Sequence, residues 1–182
     1  MSAWSLATML LQHMPWLNAI AAQARPRIAA FDVHYIAITA WAFSNLTVFN
    51  ATLLAAISAE AISRIDECSP QSLANLALSC ARLKYMDDPL LAAIASAARR
   101  KIMECIPLNL SNFAWAFAVL PKVDPELLDA ISAQVIAQLA DFGAQQLANT
   151  VWAFAWLQVS NQPWLDATSS QAMKLLHEYG PQ

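Results

Sequence analysis

The chain repeats itself every 37 residues. Trp4, Trp41, Leu78, Trp115 and Trp152 stand at that interval, within segments reading IAITAWAFSNL from Ile36, LANLALSCARL from Leu73, LSNFAWAFAVL from Leu110 and LANTVWAFAWL from Leu147. No residue is inserted or lost between copies, so one structural unit is stacked along an axis. Fixed periods of about 20–50 residues mark solenoids, in which each unit contacts its neighbours and function resides on a long surface. The 182 residues divide into a truncated first copy over 1–34, copies over 35–71, 72–108 and 109–145, and a last copy over 146–182 that ends at the start of a further one. Met1 falls in the column of Asn75, Asn112 and Asn149, so the sequence is expected to be a segment of a longer array.

Stacking accounts for the composition. Apolar residues make up 58% and charged residues 13%, greasy for a free-standing domain but natural when each unit buries a face on both neighbours. The stretch Met1–Ala24 carries no Asp, Glu, Lys or Arg, yet it lacks the basic leader of a signal peptide. Other uncharged stretches are broken by Asn, Gln or Pro at the repeat interval, so no membrane span is expected. Cys68 and Cys105 share a column with Phe31, Phe142 and Tyr179, and Cys80 shares one with Phe43, Phe117 and Phe154. These thiols are therefore read as small buried apolar groups.

Each unit reads as two amphipathic helices, about Ser72–Leu83 and Leu90–Met103 in the second full copy. Leu90, Leu91, Ile94, Ala98, Ile102 and Cys105 follow the three-and-four spacing of an apolar stripe. The tryptophan column is assigned to the core. Pro15, Pro89 and Pro163 open second helices, with Asp88 as the cap before Pro89; Pro70, Pro107 and Pro181 open first helices, with Ser69 as a cap. Gly143 and Gly180 share the column of the turn that leaves the second helix. Pro26 falls inside a second helix and should end it early. With no strand pattern, the expected fold is all-α: one continuous α-solenoid of 37-residue helical hairpins, a right-handed superhelix of armadillo or HEAT type.

Two surface rows carry functional interest. On the first helix, columns 35, 38, 42 and 45 of the leading full copy lie within about 80° of one another. Column 42 is always small, whereas Tyr35, Ser72, Asn109 and Gln146 vary in one row and Asn45, Arg82, Val119 and Trp156 in another. Asn75, Asn112 and Asn149 run between them. A carboxamide both donates and accepts, so this row suits base edges or peptide groups; it equally suits a ladder tying adjacent repeats together. The second row, Arg27, Arg64 and Lys101, offers phosphate contacts, although Glu60 lies four residues before Arg64 and can neutralise it. The column Glu67, Glu104, Asp141 and Glu178 is read as favouring helix starts through the dipole. His13, His34 and His177 fall in unrelated columns and form no triad or ligand set with the cysteines. No catalytic residue, cofactor motif, metal site or small-molecule substrate is expected, so the chain is read as a non-enzyme.

The motifs Leu73-Ala74-Asn75 and Leu147-Ala148-Asn149, Trp-Ala-Phe from Trp41, Trp115 and Trp152, and the Pro-Gln entries at Pro70 and Pro181 resemble a known repeat class. They are similar to the helical repeats of octotricopeptide-repeat proteins, of FAST-kinase-like proteins and of the repeat subunit of the RNA-editing substrate-binding complex. Leu78 and Cys80, and Leu108 after Pro107, depart from the pattern. The resemblance implies single-stranded RNA as partner, in a mitochondrion or plastid, with a role in RNA processing, stability, editing or translation. It nominates Tyr35, Ser72, Asn109, Gln146, Asn75, Asn112 and Asn149 as RNA-binding positions. The other reading is an armadillo-type scaffold that grips an extended peptide, possible protein partners being favoured by the net charge of −3.

Overall fold

The computed structural model describes Ser5 and residues 13–121, 124–158 and 162–178; Trp4, Tyr179, Gly180 and Pro181 lie outside them. Among the described residues there are nine α-helices and no strand: α1 (Met14–Ala24), α2 (Val33–Asn45), α3 (Ala51–Ser63), α4 (Pro70–Leu83), α5 (Asp88–Arg100), α6 (Pro107–Val119), α7 (Pro125–Ala137), α8 (Ala144–Trp156) and α9 (Gln162–Glu178). α2, α4, α6 and α8 are first helices of successive repeats; α1, α3, α5, α7 and α9 are second helices.

The helix starts are set by side chains in fixed columns. His13, Asn50, Asp87 and Asp124 each accept the backbone N–H three residues on, from Trp16, Leu53, Leu90 and Leu127, at 2.9–3.3 Å. The cap before Pro89 is therefore Asp87, not Asp88. Asp32 accepts from the His34 N–H and Ser69 from the Ser72 N–H, opening α2 and α4. Glu67 does not cap α4; it ends a short 3-10 turn, Ile65–Glu67, and pairs with Arg64. Pro26 acts as expected. α1 stops at Ala24, whereas Ser63, Arg100 and Ala137 in the Pro26 column still belong to their helices, and the chain continues as a 3-10 helix over Arg25–Ala30.

Helix exits correct the glycine reading. Gly143 has φ −74° and is the extended N-cap of α8. The left-handed residues are Thr47, Lys84 and Gln158, one column just past the first helices, with φ of 55°, 51° and 55°. There the 6→1 bonds Val48 N–H to Phe43 C=O and Tyr85 N–H to Cys80 C=O, both 2.9 Å, close the helix ends in the Schellman manner.

The chain forms two compact units, Met1–Ala98 and Arg99–Gln182, divided within α5. In the first, α4 lies against α2, and α3 packs on α2 and α1. In the second, α8 lies against α6, α7 packs on α6, and α9 packs on α8 and α7. Each unit is thus two-layered, first helices on first helices and second on second. Asp87 ties neighbouring second helices: besides capping α5, it accepts the Ser58 hydroxyl from α3 at 2.6 Å and the Tyr85 hydroxyl, from the turn before α5, at 3.1 Å. Burial works against its charge, but the bonds from Ser58, the Leu90 N–H and Tyr85 outweigh that and hold the carboxyl below its usual range.

The core lies between the layers, where Phe43, Phe117 and Phe154 are at most 2% exposed and Phe154 stacks on Trp164 at 4.7 Å. Cys68, Cys80 and Cys105 are buried there as expected, and burial pushes the Cys80 thiol up to about 12. The tryptophan column is a different matter. Trp41 and Trp115 are half-buried and Trp152 is 44% exposed. Tryptophan stands two residues before the core phenylalanine, about 200° away on a helix, so the column that packs the phenylalanine inward turns the indole to the outer flank.

Three outcomes follow. Phe117→Ala should cost about 3–5 kcal/mol in urea unfolding and Trp115→Ala only about half that, because only the former empties an enclosed site. Lys84→Gly should stabilise by about 1 kcal/mol by relieving the left-handed backbone, with an unchanged urea m-value. The depressed Asp87 carboxyl contributes stability above the ordinary carboxylate range that disappears as pH falls through its folded value; Asp87→Ala should therefore flatten the acid limb of a stability-versus-pH curve.

Candidate nucleic-acid interface

The column Tyr35, Ser72, Asn109 and Gln146 is the third residue of each first helix. That position faces back onto the helix start, where a polar side chain is drawn into capping. Ser72 is 1% exposed and its hydroxyl accepts from Ser69 at 3.1 Å. Asn109 is 4% exposed and its Oδ1 accepts the Ile106 N–H at 3.1 Å. Gln146 is half-buried, its Oε1 only 2.8 Å from where a Cβ on Gly143 would stand. Tyr35 alone projects freely, its ring tilted against His34 at 5.7 Å. Ser72 and Asn109 are thus withdrawn from any ligand, and capping chemistry explains why this column stays polar.

The asparagine row behaves differently. Asn75, Asn112 and Asn149 are all half-buried, and among the described residues no hydrogen bond engages their carboxamides. A ladder between repeats would use these groups; here both donor and acceptor remain available. Three residues on, almost one turn, stands the tryptophan column, and four further stands the variable one. Each first helix therefore shows a stripe: Ile38, Trp41 and Asn45 on α2; Asn75, Leu78 and Arg82 on α4; Asn112, Trp115 and Val119 on α6; Asn149, Trp152 and Trp156 on α8. Of these only Leu78 is buried. Below the stripe Ala42, Ser79, Ala116 and Ala153 are at most 1% exposed, forming the small-residue floor.

Neighbouring stripes are joined within the first unit, where Arg82 Nη1 donates to Asn45 Oδ1 at 3.1 Å. On α8 the indoles of Trp152 and Trp156 stack at 5.6 Å and 17°, with Trp156 64% exposed. Trp156 stands in the variable row that the sequence points to, whereas Trp41, Trp115 and Trp152, read from apolarity as core, belong to this surface as well; the three-residue spacing inside Leu-Ala-Asn-x-x-Trp signals it.

The basic row separates into different roles. Arg64 Nη1 donates to the Phe31 carbonyl at 2.8 Å, and Nη2 and Nε donate to Glu67 Oε2 at 2.7 and 3.1 Å, with Glu60 at 3.6 Å. The bond to Glu67 raises the Arg64 pKa and correspondingly lowers that of Glu67. Gln138, in the same column, donates to the Cys105 carbonyl at 3.0 Å. Cys105 and Phe31 are themselves equivalent, so this column fastens one repeat to the backbone of the preceding one whether or not it is charged. Arg64 is committed to that fastening and to two carboxylates. Arg27 is exposed and Lys101 half-buried, while Arg82 is the cation that stands on a stripe. Arg99 is held by Asp124 at 3.2 Å and by Glu126.

Among the described residues no three His, Cys, Asp or Glu side chains converge as metal ligands, and no helix is long and apolar enough to cross a membrane. Among curated proteins none matches the chain. The model of the family described as RNA-editing substrate-binding complex 6 protein matches residues 6–181. With nearly all of its length matched, the chain belongs to the RNA-editing substrate-binding complex 6 protein family.

Proposed function

We propose that the chain binds single-stranded RNA through the asparagine–tryptophan stripes of its first helices, as a non-catalytic component of an RNA-editing complex in the mitochondrion. The family's description speaks for RNA editing as the setting. The observation that carries the binding mode is the pairing, one turn apart, of an uncommitted asparagine carboxamide with a half-exposed indole on α6 and α8. Unpaired bases stack on aromatic faces, and a carboxamide beside the stacked base can donate to and accept from its edge. Stacking accepts any base and supplies affinity; the carboxamide supplies preference.

The charge balance shapes the expected behaviour. A net charge of −3 and the neutralisation of Arg64 leave few phosphate contacts, so binding should depend on salt only shallowly, with a log–log slope near −1 for one or two contacts. The same carboxamides could hold an extended peptide, and the acidic balance favours that second reading. Fluorescence anisotropy with labelled 12-nucleotide homopolymers separates the two. Trp115→Ala should weaken every homopolymer by about 5–100-fold, the worth of one lost stack. Asn112→Ala should shift the ranking of the homopolymers with little change in mean affinity, and Ser72→Ala should do neither. No binding at low salt, or equal binding by all three variants, overturns the RNA reading.

A further inference from the structure

Of the first helices α2, α4, α6 and α8, only α4 carries a lysine or arginine, and that residue, Arg82, stands on the stripe. Arg82 is exposed, and its Nη1 donates to Asn45 Oδ1, in the same column of the preceding repeat. Arg64 and Arg99 are each held by two carboxylates. Among the described residues Arg82 meets no carboxylate, and no acceptor engages its Nε or Nη2. α4 is also the one of the four without an indole, because Leu78, 7% exposed, occupies the tryptophan column. Asn45 stands four residues after the half-buried Trp41 of α2, so the two share a helix face one turn apart. The bond to Asn45 therefore carries the guanidinium across from α4 to the face of α2 that holds the Trp41 ring.

We propose that Trp41, Asn45 and Arg82 form a position that selects guanine in single-stranded RNA, an inference that rests on the proposed stacking of bases on first-helix indoles. A base lying on Trp41 would turn an edge toward the guanidinium. Guanine offers two neighbouring acceptors there, O6 and N7, which match a pair of parallel N–H donors. Adenine puts an amino donor beside N7, cytosine presents an amino donor, and uracil has a single carbonyl, so none of them fills the fork. The hydrogen bond to Asn45 decides which donors face the base: with Nη1 held, Nε and Nη2 are left as the parallel pair. Arg64 divides its donors in the same way, its Nη1 reaching a carbonyl while Nε and Nη2 both reach Glu67. In the column of Arg82 the other repeats carry Asn45, Val119 and Trp156, none of which has such a fork. Guanine preference is thus expected at the α2–α4 step and not at every stripe.

Fluorescence anisotropy of the full chain with labelled 12-nucleotide RNAs tests this, each a uridine run carrying one central substitution. Guanosine should bind about 5–100-fold more tightly than adenosine, cytidine or uridine in that place, the worth of a bidentate contact. Inosine, which keeps O6 and N7, should match guanosine, whereas 7-deazaguanosine, which lacks the N7 acceptor, should fall back toward adenosine. Arg82→Gln should abolish the guanosine advantage, and adenosine should then bind at least as well, because a carboxamide pairs with the adenine N6 and N7 edge. Asn45→Ala should reduce the guanosine advantage at unchanged affinity for the all-uridine strand. Arg82 is exposed, so its variant should melt like the parent. Equal binding of guanosine and 7-deazaguanosine, or a guanosine advantage undiminished in either variant, overturns the proposal and leaves RNA binding intact. An equal loss for every strand in Arg82→Gln, with a log–log salt slope shallower by about 1, overturns it too, by making Arg82 a phosphate contact. Absence of binding by any strand overturns this inference and the RNA reading together.

Discussion

Each unit depends on one contact, the packing of its later first helix on its earlier one, α4 on α2 and α8 on α6, across a face of small residues. With Ala37 and Ala40 under α4, and Ser111 and Ala114 under α8, almost no side chain separates the paired backbones. Interhelical distances at the short end of the usual 8–10 Å range follow. A larger residue at any of these columns would push away the helix packed on it, which is why alanine and serine recur there. The phenylalanine column then fills the other direction, between first and second helices, where Phe43, Phe117 and Phe154 are enclosed.

Polar side chains hold that packing in register without contributing much to its energy. One column caps α1, α3, α5 and α7; Asp87, in it, also ties α3 to the start of α5. Another fastens the end of a second helix to a carbonyl of the repeat before, through Arg64 in one copy and Gln138 in another. That a guanidinium and a carboxamide do the same work in the same place shows that the hydrogen bond, not the charge, is the repeated element. The basic row therefore loses the regularity that would suit it to a phosphate chain. The flank of the first helices differs: among the described residues no hydrogen bond engages the carboxamides of Asn75, Asn112 and Asn149.

The polar columns of the first helix are distinguished by place rather than by residue type. Asn109 and Asn112 have the same side chain, one turn apart, yet Asn109 accepts the Ile106 N–H and is 4% exposed while Asn112 stays half-exposed with its carboxamide unengaged. Chemistry at a helix start is consumed by the backbone N–H groups that the helix leaves unpaired. One turn later those groups are satisfied, and the same amide is available to a ligand.

The sequence by itself determined the period, the all-helical class, the two-helix unit, the break at Pro26, the Ser69 cap and the burial of the three cysteines. All of these follow from local preference or from a column's residue size, which translation by 37 residues repeats exactly as written. Only the tertiary structure decided which sides of each helix are covered. A tryptophan on the flank and a tryptophan in the core are equally apolar as letters, so Trp115 and Phe117 could be told apart only once α7 and α8 were in place around α6. In the same way, Ser72 and Asn109 were legible as polar but not as buried, and Arg64 as basic but not as bound to Phe31, because the carbonyl it reaches belongs to another repeat.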